Sequence, residues 1–167
     1  MNKSENIVLT GFMGTGKTTV GKALARRLDR VFFDMDAAIE HRTGLTIPRI
    51  FASYSEPFFR AIERGLAHEL ALQENLVIAT GGGALLDKES YEALSQTGFI
   101  VCFMASPDVI EERLRQSDDR PLAGRWREIF TEREPTYAAM PNQIQTDTAT
   151  PEALAEEVIA LWQTHSQ

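Results

Sequence analysis

Residues 11–18 read Gly11-Phe12-Met13-Gly14-Thr15-Gly16-Lys17-Thr18: a glycine, four residues, then Gly-Lys-Thr. No other feature constrains the fold as strongly. Glycines at 11, 14 and 16 let the backbone curl until successive N–H groups point inward, forming a concavity suited to phosphate oxygens. The pattern belongs between a strand and a helix, because the helix N-terminus adds positive potential at the same place. Both neighbours are present. Ile7-Val8-Leu9-Thr10 is a continuous apolar run, and Val20, Leu24 and Leu28 recur at helical spacing after Lys17. In this arrangement Lys17 bridges the β- and γ-phosphates of a nucleotide and Thr18 offers its hydroxyl to Mg²⁺. The expected nucleotide-binding residues are Gly14, Thr15, Gly16, Lys17, Thr18 and Thr19.

The rest of the chain alternates in the same way. Strands are predicted at Ile7–Thr10, Val31–Phe33, Leu76–Thr80 and Phe99–Met104, with a weaker one at Gln143–Thr146. Their apolar runs are continuous, as for strands covered on both faces. Helices are predicted at Lys17–Leu28, Ala37–Arg42, Pro57–Leu72, Lys88–Ser95, Pro107–Gln116 and Pro151–Trp162. Ser106-Pro107 and Thr150-Pro151 each place a capping hydroxyl before a proline at the first helical position. Strands alternating with helices predict a single α/β domain over residues 1–167, with a parallel sheet sandwiched by helices. Residues 117–125 resist assignment and are expected to form a flap or a surface loop.

Composition narrows the partners. A net charge of −7 disfavours nucleic acid, which attracts basic surfaces. No apolar run approaches the length of a membrane span, so a soluble cytoplasmic protein is expected. The one cysteine, Cys102, lies within an apolar run and reads as a core residue. His41, His68 and His165 lack metal-ligand spacing, and Trp126 and Trp162 read as packing residues.

Within a phosphate-binding protein of this charge, clustered cations and carboxylates at strand ends become candidates. Asp34 and Asp36 follow the second strand; two apart in extended chain, they face one cleft at the carboxyl edge of the sheet. One suits Mg²⁺ through water and the other a hydroxyl's proton; capping of the next helix by Asp36 is the plainer alternative. Phe59, Ile62, Leu66 and Leu70 form a buried stripe that leaves Arg60 and Glu63 together on one side, where a braced arginine can fork onto a carboxylate or phosphate. Gly81-Gly82-Gly83 ends the third strand and lets backbone N–H groups approach a ligand. Arg113, Arg115, Arg120, Arg125, Arg127 and Arg133 concentrate positive charge, and Arg120 is best placed to stabilise a transferring phosphoryl group. The chain is too short for the switches and motors that share such a loop, so a metabolite kinase is favoured. A non-catalytic nucleotide-binding module and a kinase for another small hydroxy acid, such as gluconate, are the alternatives.

The order of these motifs, from the phosphate loop through Asp34-Met35-Asp36, Phe59-Arg60 with Glu63, Gly81-Gly82-Gly83, Arg120-Pro121-Leu122 and Arg133-Glu134-Pro135-Thr136-Tyr137, resembles the shikimate kinase family over most of the chain. The resemblance implies a three-layer αβα fold of the P-loop nucleoside monophosphate kinase kind, with a five-stranded parallel sheet. It also implies a substrate-binding region near residues 34–63 and a lid near 117–126. The implied reaction takes ATP and shikimate to ADP and shikimate 3-phosphate, with Mg²⁺, in the route to aromatic amino acids. By resemblance, Asp36 binds the shikimate hydroxyls and takes the proton, Asp34 holds Mg²⁺ through water and Thr18 holds it directly. Arg60, Arg133, Gly82 and Gly83 bind the carboxylate; Lys17 and Arg120 stabilise the transferred group; Arg113 and Pro151 flank adenine. A monomer is expected. Three stretches depart from the family pattern. Ser55-Glu56 replaces the usual Gly-Glu, the Arg120 to Arg133 stretch is short, and Thr148-Ala149-Thr150 stands where an arginine often precedes the proline.

Overall fold

The computed structural model describes residues 5–116 and 124–165. Five strands form the sheet: β1 (Asn6–Gly11), β2 (Val31–Asp34), β3 (Leu76–Ala79), β4 (Gly98–Met104) and β5 (Gln143–Gln145). All pairings are parallel, in the order β2-β3-β1-β4-β5. The chain leaves β1 toward one edge of the sheet and returns to the other, so the order reverses at β1, the place where parallel sheets open a binding crevice. The glycine loop sits there.

Eight α-helices flank the sheet among the described residues: α1 (Lys17–Leu28), α2 (Met35–Thr43), α3 (Ile47–Ser53), α4 (Glu56–Ala71), α5 (Lys88–Ser95), α6 (Pro107–Arg115), α7 (Trp126–Ala138) and α8 (Pro151–His165). Alternation along the strands splits the core in two. Ile7, Leu9, Val77, Phe99, Val101 and Phe103 pack under α1 and α8. Val8, Ile78, Ile100 and Cys102 face the opposite way, toward Met35, Phe59, Leu66, Trp126 and Tyr137. The three-layer expectation holds. Cys102 is buried, and burial pushes its thiol up to about 11.

Four local expectations need correction. Strand β2 is an edge strand, and Val31 is 64% exposed, so it is not covered on both faces. Helices α3 and α7 were not expected; α7 buries only Trp126 and Tyr137 and carries Pro135 in its interior, so it has no apolar stripe to read. Ser106 does stand before α6, but its hydroxyl makes no cap bond to that helix; it turns to the Asp147 carboxylate, whose Oδ1 also accepts from the Ser106 N–H at 2.8 Å. Thr150 does cap, its hydroxyl accepting from the Ala153 N–H at 3.2 Å. The fourth concerns the acidic pair. Helix α2 begins at Met35, so Asp36 lies in its first turn, and Asp34 is the capping residue, accepting from the Ala37 N–H at 3.1 Å.

Candidate functional site

The loop between β1 and α1 is held by positive φ angles that glycine alone adopts without strain: 132° at Gly11, 78° at Gly14 and 95° at Gly16. At Gly11 space is also decisive, since a Cβ would stand 2.3 Å from the Phe103 carbonyl oxygen. Thr15 is buried and donates to the Phe12 carbonyl at 2.7 Å, closing the loop from inside. No side chain caps α1 and no acid lies in its first turn, so its N-terminal donors remain available to an anion. Lys17 folds over the loop, donating to Gly11 O at 2.7 Å and Phe12 O at 2.8 Å. Thr19 is exposed at the start of α1.

Arg113 braces this loop from α6. Its guanidinium donates to Gly14 O at 3.0 Å and to Thr146 Oγ1 and O at 3.1 and 2.6 Å. It thereby ties the phosphate loop to the segment after β5, a structural bond in addition to the adenine contact expected of it. Arg120 and all but the last three residues of the expected lid lie outside the described residues. Pro151 opens α8.

Thr18 and Asp34 meet at the mouth of the loop, the hydroxyl donating to Asp34 Oδ2 at 2.9 Å. Asp36, two residues on in the first turn of α2 and half-buried, faces the glycine turn instead: a Cβ on Gly81 would lie 2.6 Å from Asp36 Oδ1 and 2.9 Å from Glu63 Oε2. The pair therefore divides between the two halves of the site rather than facing one cleft from extended chain.

None of the three glycines has a positive φ; Gly81 and Gly83 are instead crowded by side chains. A Cβ on Gly83 would strike the Arg60 guanidinium at 2.7 Å, whereas at Gly82 nothing lies nearer than 3.5 Å. Arg60 itself is fixed from two sides, by Glu63 Oε1 at 2.7 Å and Glu56 Oε1 at 3.4 Å. Ser55, which departs from the glycine expected there, caps α4, its hydroxyl accepting from the Phe58 N–H at 3.2 Å.

Glu63 is the residue whose importance sequence reasoning undervalued. It is 1% exposed, and its Oε2 has no hydrogen-bond partner among the described residues. Burial raises its pKa, and the Asp36 charge adds to that; Arg60 and Arg133 offset it only in part. For Arg60, burial acts downward but Glu63 and Glu56 outweigh it, and the guanidinium stays firmly charged. The pair thus contains a secure cation and a carboxyl whose pKa burial lifts above the usual carboxylate value. Only its place on the inward face of α4, beside Leu66 and Leu70, could have signalled this.

Arg60, Gly83, Leu86, Asp87, Arg133 and Thr136 line a cavity of about 390 Å³. A larger and shallower depression of about 530 Å³ lies beside Lys22, Arg26 and Arg30, at the far end of α1 from the loop, and contributes no group to this site. The far wall of the 390 Å³ cavity is locked: Arg64 grips Asp87 through Nε at 3.1 Å and Nη2 at 2.6 Å, while Asp87 caps α5 through the Ser90 N–H. Arg64 and the Ser90 donors hold the Asp87 carboxyl well below the usual range.

The family model described as Shikimate kinase matches residues 13–163. A shikimate kinase of Thermodesulfovibrio yellowstonii is 43% identical over 161 residues, covering 93% of both chains. The solved shikimate kinase of Acinetobacter baumannii in complex with shikimate superposes with a TM-score of 0.90 at 36% identity, covering 97% of this chain and 94% of that one. A gluconokinase from Sinorhizobium meliloti is similar at a TM-score of 0.61 and 17% identity, covering 96% and 92%, which is a likeness of fold alone.

Proposed function

The chain belongs to the shikimate kinase family, and from that premise we propose that it phosphorylates the 3-hydroxyl of shikimate with ATP, using the residues gathered at the β1 and β3 ends. The observation that carries this reading is the cavity beside the glycine turn, whose Gly82 lies against the backbone of the phosphate loop. It is lined by two half-buried arginines, Arg60 and Arg133, with Asp36 and Glu63 against the glycine turn that forms its edge. A small acid with several hydroxyls matches that pattern of charge.

In this reading Arg60 and Arg133 grip the acceptor carboxylate, with the Gly82 and Gly83 N–H groups beside them. The grip places one hydroxyl at Asp36, which accepts its proton as the oxygen attacks the γ-phosphoryl group. Lys17 exchanges the Gly11 and Phe12 carbonyls for phosphate oxygens, so its ammonium follows the charge as it moves. Arg120 serves the same charge from the lid. Residues 34–63 form the acceptor-binding region of a single domain, and 117–126 its lid.

The donors at the loop mouth fit Mg²⁺. Thr18 and Asp34 present hard oxygens in contact, and this ion takes few protein ligands beside phosphates and water. Thr18 would hold it directly and Asp34 through water; bound there, it would neutralise charge on the transferred group. Every group invoked lies on one chain, and the proposal takes it as a monomer acting in the cytoplasm. No helix among the described residues is long and apolar enough to cross a membrane.

The test is ADP release from Mg-ATP with shikimate, quinate, gluconate, AMP or no acceptor. Release that depends on shikimate and exceeds the others is expected; equal stimulation by gluconate would overturn the acceptor assignment.

A further inference from the structure

Tyr137 stands on α7 four residues after Arg133, hence on the same helix face. It is 2% exposed, with its ring set edge-on to Phe12 of the phosphate loop at a centroid distance of 6.5 Å. Its hydroxyl donates to the Gly82 carbonyl, and the Arg133 guanidinium lies near enough to act on the phenol electrostatically. Burial pushes the phenol up to about 12, against the opposing pull of Arg133, so near neutrality it keeps its proton and remains a donor.

The bond to Gly82 has a directional consequence. A trans peptide is planar, with its C=O and the following N–H pointing in opposite directions. A Gly82 carbonyl turned toward Tyr137 therefore turns the Gly83 N–H away from it. The turn's own backbone bonds, Ala84 N–H to Gly81 O at 3.1 Å and Leu86 N–H to Gly83 O at 3.2 Å, do not use that donor. Gly83 lies against Arg60 and lines the same cavity as Arg133. One hydroxyl thus bonds the peptide that aims a backbone donor and lies beside a guanidinium from a different part of the chain.

We propose that Tyr137 is a positioning residue for the acceptor carboxylate, holding the Gly82–Gly83 peptide and Arg133 in the orientation that binds it. The inference rests on the reading of Arg60, Arg133 and the glycine turn as a carboxylate clamp. Tyr137 touches no reacting atom, so its removal acts on the acceptor requirement and not on the phosphoryl transfer step.

The experiment compares wild type with Tyr137→Phe, which keeps the ring against Phe12. Steady-state rates are measured with shikimate and with its methyl ester, in which the carboxylate charge is masked. The expected result is a shikimate KM raised roughly five- to tenfold, the scale of one net hydrogen bond. The ATP KM and kcat should stay within about twofold, and with the ester the two proteins should have similar kcat/KM. A gap of equal size with acid and ester, or an equal change in the ATP KM, identifies a packing residue and overturns the proposal. Arg60→Ala and Arg133→Ala are run alongside. If these fail to discriminate acid from ester, the clamp reading has failed; if they discriminate and Y137F does not, only the role of Tyr137 has. Should Y137F not fold, the wild-type chain labelled with 3-fluorotyrosine decides. Among its three tyrosines the Tyr137 resonance, assigned by eliminating Tyr54 and Tyr91, should move with shikimate and not with the ester. An unmoved resonance overturns the proposal.

Discussion

The nucleotide half and the acceptor half of the site meet at β1 and β3, yet they are built on different principles. The nucleotide loop is eight consecutive residues whose function lies in backbone shape: three positive-φ glycines and an uncapped helix start. The acceptor half is collected from α2, α4, the glycine turn and α7, and its function lies in side-chain charge taken partly out of water. A contiguous backbone device is robust, since each residue positions its neighbour. An assembled electrostatic device depends on every brace that holds its charges, such as Glu63 on Arg60 and Arg64 on Asp87.

That contrast can be broken most sharply at Asp36, the acid that turns to the acceptor side. Asp36→Asn should lower kcat by about a thousandfold, within the range for loss of a general base, with ATP affinity nearly unchanged. An equal loss of ATP binding, read by titration calorimetry, would assign the residue to the nucleotide half. Arg60→Ala should come next, raising the shikimate KM by about a hundredfold, as expected for a charge-assisted fork, and barely moving the ATP KM. Comparable changes in both would dissolve the division between the halves.

A third comparison lies within the glycine turn. Gly83→Ala drives a methyl group into the Arg60 guanidinium, while Gly82→Ala meets nothing closer than 3.5 Å. The first should raise the shikimate KM by about tenfold and the second by much less; the reverse order would show that the turn binds by conformation, as the phosphate loop does.

The smallest expected effects are on stability, and they have opposite signs with pH. Glu63 has a raised pKa when folded, so its contribution is fully present below the unfolded value, near 4.5, and is lost as pH rises through the folded value. Relative to wild type, Glu63→Gln should therefore gain melting temperature as pH rises above about 4.5. Asp87 has a depressed pKa, so its contribution is present above its unfolded value, near 3.8, and fades as pH falls. Asp87→Asn should cost stability at pH 7 and progressively less below about pH 4. Thermal melts across pH 3–8 test both, and parallel curves for the two variants would contradict the assigned environments.

The sequence was most legible where function is local. The strand, glycine loop and helix of residues 6–28 could be read directly, because one short motif needs both flanking elements in order to work. All five strands were placed within a residue or two; the central β1, β3 and β4 were legible because strands buried on both faces must be apolar throughout. Reading failed where a helix has little to bury. Helix α7, with Pro135 inside it and one well-buried residue near each end, carries no periodic signal, although it brings Arg133 and Tyr137 to the site. The acidic pair shows the same limit. The chain announces two carboxylates after a strand, but whether they share a face depends on where α2 starts, and it starts between them.

By itself, then, the sequence determined the phosphate loop, the parallel αβα architecture and the set of charged residues available for chemistry, because these follow from local backbone preference and hydrophobic period. Only the tertiary structure decided which charges meet. The burial of Glu63, the crowding of Gly81 and Gly83 by distant side chains, and the bond from Tyr137 to the glycine turn each join residues far apart in the chain. Such energies depend on distance and desolvation in space, which residue type and spacing do not encode.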